Sequence, residues 1–230
     1  MFQILKVIVG SRAHGLANAD SDTDFRGVFI TPTKELLKLG GTTQQTSWIE
    51  GKEDDTSWEL GKFLLMATKC NPTILEVFMA PRTSISDDGV WTTESPDNSW
   101  GDRLIALFPH VWNSTDAFNA FRGYGKNQQK KFLDNKDVRP HKYAVAYLRT
   151  LYNAVQLLET GTFSLDTSDT PIYETLRRWK NKDYTVGEVM QVTHDWDKKV
   201  IDAYEKCEKK ETNMEPINGF LLEMRQRFWE

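Results

Sequence analysis

Residues 10–27 read Gly10-Ser11-Arg12-Ala13-His14-Gly15-Leu16-Ala17-Asn18-Ala19-Asp20-Ser21-Asp22-Thr23-Asp24-Phe25-Arg26-Gly27. The runs on either side give this stretch its meaning. Before it, FQILKVIV is rich in β-branched and aromatic residues and ends at Gly10, which predicts a buried strand. After it, DFRGVFIT is a second such run, closed by Pro32. A strand therefore enters Gly10-Ser11, and Asp22 and Asp24 open the next one. Side chains two apart on a strand share a face, so these carboxylates are expected side by side. Two like charges so close repel unless a cation sits between them. All-oxygen donors select Mg²⁺ or Mn²⁺ over zinc.

Three other readings of the stretch compete. Asp20, Asp22 and Asp24 match the first, third and fifth positions of an EF-hand loop, but the sixth is Phe25 instead of Gly and the twelfth is Thr31 instead of Glu. Gly10 and Gly15 have P-loop spacing, but the Lys and Ser/Thr that should follow are Leu16 and Ala17. As a bare Asp-x-Asp the segment is an ordinary polar turn; the strand and Gly-Ser before it set it apart.

Gly-Ser, a short spacer, then Asp-x-Asp heading an apolar strand resembles the signature of polymerase-β-type nucleotidyltransferases. The longer string GSRAHGLANADSDTDFRGVF is similar to the RNA-repair-associated branch of that superfamily, often labelled simply predicted nucleotidyltransferases. Asp54 followed by ELGKF, then CNPTILEVF, then HKYAVAYLRTLYNAVQLLETG extend the likeness over most of the first 80 residues and the stretch around 121–161. The resemblance implies an α+β fold: a polymerase-β-like catalytic domain with a mixed sheet, then a helical domain closing the nucleotide cleft. It implies transfer of an NMP from an NTP to a hydroxyl, an RNA 3′ end being one acceptor and a protein or small molecule the alternative. A non-catalytic nucleotide-binding or interaction module on the same fold is a further alternative.

The same resemblance implies roles. Asp22, Asp24 and Asp54 would be catalytic and would hold Mg²⁺ or Mn²⁺. Asp54 is chosen because it stands nine residues before Phe63; Asp55 competes, and a one-residue slip would put it on the opposite face. Gly10 would let backbone approach the triphosphate, with Ser11 and nearby N–H groups on its oxygens. Arg12 and Arg26 are phosphate or structural partners. Lys126, Lys130, Lys142 and Arg149 are cations for the triphosphate or acceptor, with Lys131 beside them. Lys142 and Arg149 are seven apart and can share a helix face. Tyr124 and Tyr143 could stack on a base, whereas His14 is read as structural and Glu59 as a capping or helix-surface residue.

The rest of the chain divides at the turn-rich stretch PRTSISDDGVWTTESPDNS, giving expected domains 1–99 and 100–230. The first is expected to hold a short helix TKELLKL ended by Gly40-Gly41 and a weak strand interrupted by Gly51. A helix from an N-cap at Ser57 to Lys69 follows, and another from Pro72. The second carries apolar residues at helical spacing over 114–134, 141–159, 172–181, 185–209 and 216–229.

Across 230 residues, 39% hydrophobic and 12% aromatic composition can bury a core, which excludes wholesale disorder. The N-terminus reads as a strand with no signal-peptide pattern, and no apolar run is long enough for a membrane span. Cys70 and Cys207 cannot build a disulfide framework or a four-ligand zinc site by themselves. A soluble cytoplasmic protein is expected. The net charge of −4 argues against nucleic-acid binding through overall charge. It is unevenly spread: residues 1–99 hold 9 Lys and Arg against 14 Asp and Glu, whereas 121–150 hold eight bases against Asp134 and Asp137. An acidic first part and a basic middle suit metal ions combined with an anionic substrate.

Overall fold

The computed structural model describes residues 2–39, 46–49, 52–82, 84–85, 91–92, 99–134 and 139–230. The side chains of 46–49, 52–54, 84–85, 91–92 and 99 are not among those described. Gly40, Gly41, Gly51, Lys136 and much of the 81–99 boundary stretch therefore lie outside the described residues.

Strand β1 (Phe2–Val9) runs into a single helical turn, α1 (Gly10–Ala13), and β2 (Asp24–Ile30) follows. A short α2 (Thr33–Leu36) precedes β3 (Thr46–Ile49) and β4 (Lys52–Glu59). These strands form one mixed sheet in the order β1-β2-β4-β3, with β1 and β2 antiparallel, β2 and β4 parallel, and β3 and β4 antiparallel. Helices α3 (Leu60–Thr68), α4 (Pro72–Met79), α5 (Ser99–Ile105) and α6 (Phe108–Val111) follow, with a two-residue pair β5 (Ser84–Ile85) and β6 (Trp91–Thr92) between α4 and α5. Val7, Val28, Ile30, Leu60, Phe63, Ile74, Leu75 and Leu104 are fully buried. The second half is helical: α7 (Ser114–Leu133), α8 (Pro140–Thr160), α9 (Tyr173–Lys180), α10 (Val186–Lys206) and α11 (Met214–Arg227). The α+β class is as expected.

Local chemistry explains the helix limits. Asn113 and Thr185 accept from the backbone N–H groups of Asp116 and Glu188, capping α7 and α10. Gly161, at φ +82°, ends α8 in the left-handed conformation that favours glycine. Ser57, expected as an N-cap, lies inside β4, which continues through Trp58 to Glu59. Pairing with β2 carries the ladder past it, and its hydroxyl accepts from Gln3 Nε2 at 3.3 Å.

The described residues form two compact units, 1–68 with 73–111 and 212–230, and 69–72 with 112–211. This partition differs from a boundary at 99/100, because α5, α6 and α11 all belong to the first unit. A charged clasp holds α11 there: Arg225 donates to both oxygens of Glu59 at 2.7 and 2.9 Å. Glu59 Oε2 also accepts from Gly61 N, so one carboxylate caps α3 and anchors α11. The tail continues the attachment, with the Phe228 and Trp229 carbonyls accepting from Thr33 and Lys34 N–H.

Removing one member leaves the other desolvated, which costs about 3–5 kcal/mol for a fully buried pair. Arg225 keeps 18% side-chain exposure against 6% for Glu59, so Arg225→Ala is expected to cost about 2 kcal/mol. Glu59→Leu/Arg225→Leu should cost less than the two single changes combined. Urea unfolding checks both; additive costs would mean the groups act independently.

Candidate nucleotidyl-transfer site

The site grows from the place where β1 ends and β2 begins. Val9, still buried, pairs with Asp24, and β2 is half-buried from Asp24 to Arg26 before it enters the core. Gly10 turns the chain at φ +69° into α1, and Gly15, also at φ +69°, releases it into the loop leading to Asp22. A β-carbon at Gly10 would fall on the Asp24 carboxylate, 2.7 Å from its Cγ and 3.1 Å from its Cβ. The glycine is required twice, by its backbone angle and by the side chain lying against it. Gly10 and Asp24, the first and last residues of the two elements, are thus in direct contact.

Around this contact, Asp24 is half-buried at the head of β2, and Asp22 is exposed in the loop just before it. The ladder begins only at Asp24, because β1 has already turned at Gly10. Asp22 therefore lies outside the strand on which both carboxylates were expected. A turn fixes the loop: Ser21 N–H donates to the Asn18 carbonyl and Ser21 Oγ donates to Asn18 Oδ1 at 2.7 Å. Arg12 Nη2 donates to the Ser21 carbonyl at 2.7 Å, tying α1 to the residue before Asp22. Arg12 thus holds the loop that carries a carboxylate. Arg26 donates to the Phe25 carbonyl at 2.7 Å and shares the strand face of Asp24. Ser11 is half-exposed beside Gly10, and His14 is buried.

The register of β2 and β4 bears on the third carboxylate. Phe25 pairs with Asp55, so Asp24 and Asp54 are the preceding residues of two parallel neighbours. Asp55 is committed elsewhere: Lys6 Nζ donates to it at 2.7 Å, with side-chain exposures of 6% and 12%. The same ammonium lies 4.6 Å from the Phe25 ring centroid. The Asp54 side chain is not among those described. Among the described residues no three His, Cys, Asp or Glu gather closely enough to hold a metal ion. The donors described there, the carboxylates of Asp22 and Asp24, are of the all-oxygen kind that suits a hard cation, and Asp24 is seated where a β-carbon is missing.

The expected cations belong to the helical unit and are spread within it. Lys126 lines a pocket of about 400 Å³ with Arg122, Gln129, Tyr147, His194 and Asp197. Arg122 there is paired with Asp197 at 2.6 and 2.8 Å, which raises the pKa of its guanidinium through that hydrogen bond. Lys130 lines another pocket with Tyr124, Lys131 and Asp134. Lys142 is exposed near the start of α8, and Arg149 is buried within it. Sequence reasoning missed Lys6 and Arg225 as the partners of Asp55 and Glu59, since nothing local marks pairs 49 and 166 residues apart. Among the described residues, no helix is long and apolar enough to cross a membrane.

A model described as the RNA repair pathway DNA polymerase beta family matches residues 3–221. An uncharacterized protein of Methanocaldococcus jannaschii is 27% identical over 169 residues, which is 72% of this chain and 64% of that protein. The chain thus spans somewhat less than two thirds of the length of that relative. No solved structure matches. With the family match covering nearly the whole chain, and Gly10 of the Gly-Ser element lying against Asp24 of the Asp-x-Asp element at one end of the sheet, this protein belongs to the RNA repair pathway DNA polymerase beta family.

Proposed function

We propose that the chain transfers an NMP from an NTP to a hydroxyl, with an RNA 3′ end as acceptor, at the site built from Gly10, Ser11, Asp22 and Asp24. The observation that carries the reading is the Asp24 carboxylate packed against Gly10 where β1 and β2 meet. The family description supplies the RNA context.

In such a reaction the acceptor oxygen attacks the α-phosphorus and pyrophosphate leaves, so positioning and charge neutralisation dominate over covalent chemistry. Asp22, Asp24 and Asp54 would hold divalent cations, Mg²⁺ or Mn²⁺. A bound divalent cation supplies neutralisation of phosphate charge and a more acidic acceptor hydroxyl. The chain's own part is to keep the carboxylates in place: Gly10 leaves room for Asp24, and Arg12 fixes the loop before Asp22. Ser11 and the N–H groups beside it serve the phosphate oxygens.

Engagement of Asp55 by Lys6 supports Asp54 as the third carboxylate. Asp54→Asn is expected to lower transfer by roughly 10²-fold or more with stability unchanged, as removal of one transition-state stabiliser does. Asp55→Asn should instead lower stability, by leaving Lys6 desolvated, and affect the rate far less. Rates and melting temperatures of the two variants check this; the reverse assignment would make Asp55 the ligand.

The overall reading is tested by incubating the protein with Mg²⁺, each labelled NTP, and RNAs ending in a 3′ hydroxyl or a 3′ phosphate. Label on the hydroxyl-ended RNA alone is expected. Label on a protein or small molecule instead would change the acceptor, and no transfer with no NTP binding would overturn the reading.

A further inference from the structure

The arginines and lysines of the helical unit are used differently. Arg122 is neutralised by Asp197, Arg177 by Glu174 and Arg178 by Glu188. Lys130, Lys131 and Lys142 are exposed, and among the described residues none of them pairs with a carboxylate. They lie at one end of the unit, where the last turns of α7 meet the first turn of the antiparallel α8. Lys131 Nζ sits 5.5 Å from the Tyr143 ring centroid, which bridges the two helices. A fourth cation arrives from α9: its last residue, Lys180, stands four before Tyr184, whose ring packs on Phe132 near the end of α7 with centroids 5.8 Å apart. The Lys180 ammonium is held below its ordinary pKa by burial and then by the charge of Lys142.

Beside these lysines is an open pocket of about 380 Å³ lined by Tyr124, Asn127, Gln128, Lys130, Lys131 and Asp134. Asp134 is the one carboxylate among those lining residues. Exposed lysines interleaved with tyrosine rings and side-chain amides form a surface suited to a sugar-phosphate strand with unpaired bases. Lysine acts on phosphate as a point charge without fixing its geometry, which suits a backbone read without regard to sequence.

We infer that the end of the helical unit formed by Lys130, Lys131, Lys142 and Lys180, with Tyr124 and Tyr143, holds the phosphate backbone of a single-stranded RNA acceptor. The inference rests on the RNA-acceptor reading above and goes beyond it by assigning the surface. Of the two roles open to Lys130 and Lys142, triphosphate or acceptor, it assigns the acceptor. It also resolves the tension with net charge −4, because a local field of four cations is enough for a strand that contacts only this end.

The test compares the full chain with Lys131→Gln/Lys180→Gln, and with a control, Lys198→Gln/Lys206→Gln, that removes the same charge from α10. Binding of a labelled short single-stranded RNA is measured against salt, alongside binding of a non-hydrolysable NTP and thermal melting. The first variant is expected to bind RNA on the order of tenfold more weakly near 0.1 M salt, with the salt slope reduced by about 0.7 for each lost contact. NTP binding and melting should match the parent, and the control should bind RNA as the parent does. Equal RNA binding by the first variant, equal weakening by the control, or lost NTP binding with RNA binding intact would overturn the assignment while leaving the RNA acceptor in place. Failure of the parent to bind RNA, with label passing to some other acceptor, would remove the RNA reading itself.

Discussion

Asp24→Asn and Asp22→Ala are each expected to lower nucleotidyl transfer on the order of 10³-fold or more, equivalent to about 4 kcal/mol of transition-state stabilisation. In this chemistry the protein contributes mainly by balancing phosphate charge, and each aspartate removes a full carboxylate from that balance. Neither change should unfold the chain. Asp22 is exposed in the loop, and Asn at 24 keeps the shape that lies against Gly10. Single-turnover rates with melting curves measure both effects. A folded Asp24→Asn protein transferring within tenfold of the parent would remove Asp24 from the site.

Gly10→Ala is the second large effect, and it acts through space instead of charge. At φ +69° an L-residue carries a left-handed backbone cost of about 1–2 kcal/mol. The added methyl would also lie 2.7 Å from Asp24 Cγ and 3.1 Å from Asp24 Cβ. The carboxylate must turn away to relieve the first contact, and the second asks the backbone at Asp24 to give by a further few tenths of an ångström, so the carboxylate leaves its place. A misplacement of about 1 Å at a reacting centre costs roughly 10²-fold in rate, and the same loss or more is expected here. Gly15→Ala separates the two causes: it has the same φ of +69°, so it should lose stability from strain without a comparable loss of rate. Equal rates for the two variants would show that contact with Asp24 is not what Gly10 provides.

Much of this architecture was legible because it is written locally. The helices from 114 onward fall within a few residues of their apolar periodicity, and their ends follow from side chains close by, Asn113, Thr185 and Gly161. The first two strands and the glycine between them were equally plain. Reading failed where partners are distant in sequence. Ser57, Trp58 and Glu59 look like a helix start, yet β2 draws them into the sheet. Periodicity marks α11 as a helix but does not reveal that Glu59 fixes it to the first unit.

The candidate site divides the same way. The spacing of Gly10-Ser11 from Asp22 and Asp24 pointed to the chemistry, and the contact of Gly10 with Asp24 gives that spacing a physical cause. Spacing to Phe63 favoured Asp54 over Asp55, whereas the Lys6 partner of Asp55 is announced by no nearby pattern. The basic segment read as a single block separates in space. Arg149 goes inside, Lys126 lines one pocket, and Lys130 and Lys131 line another. Lys180 joins Lys142 from a helix outside that segment.

The most direct measurement is a transfer reaction with Mg²⁺ and hydroxyl-ended RNA, run in parallel with NTP labelled on the α-phosphate and on the γ-phosphate. Nucleotidyl transfer predicts that the α-label joins the RNA while the γ-label leaves in pyrophosphate, and that Asp22→Ala and Asp24→Asn abolish both. The γ-label on the acceptor, or the α-label transferred equally well by those two variants, would contradict it.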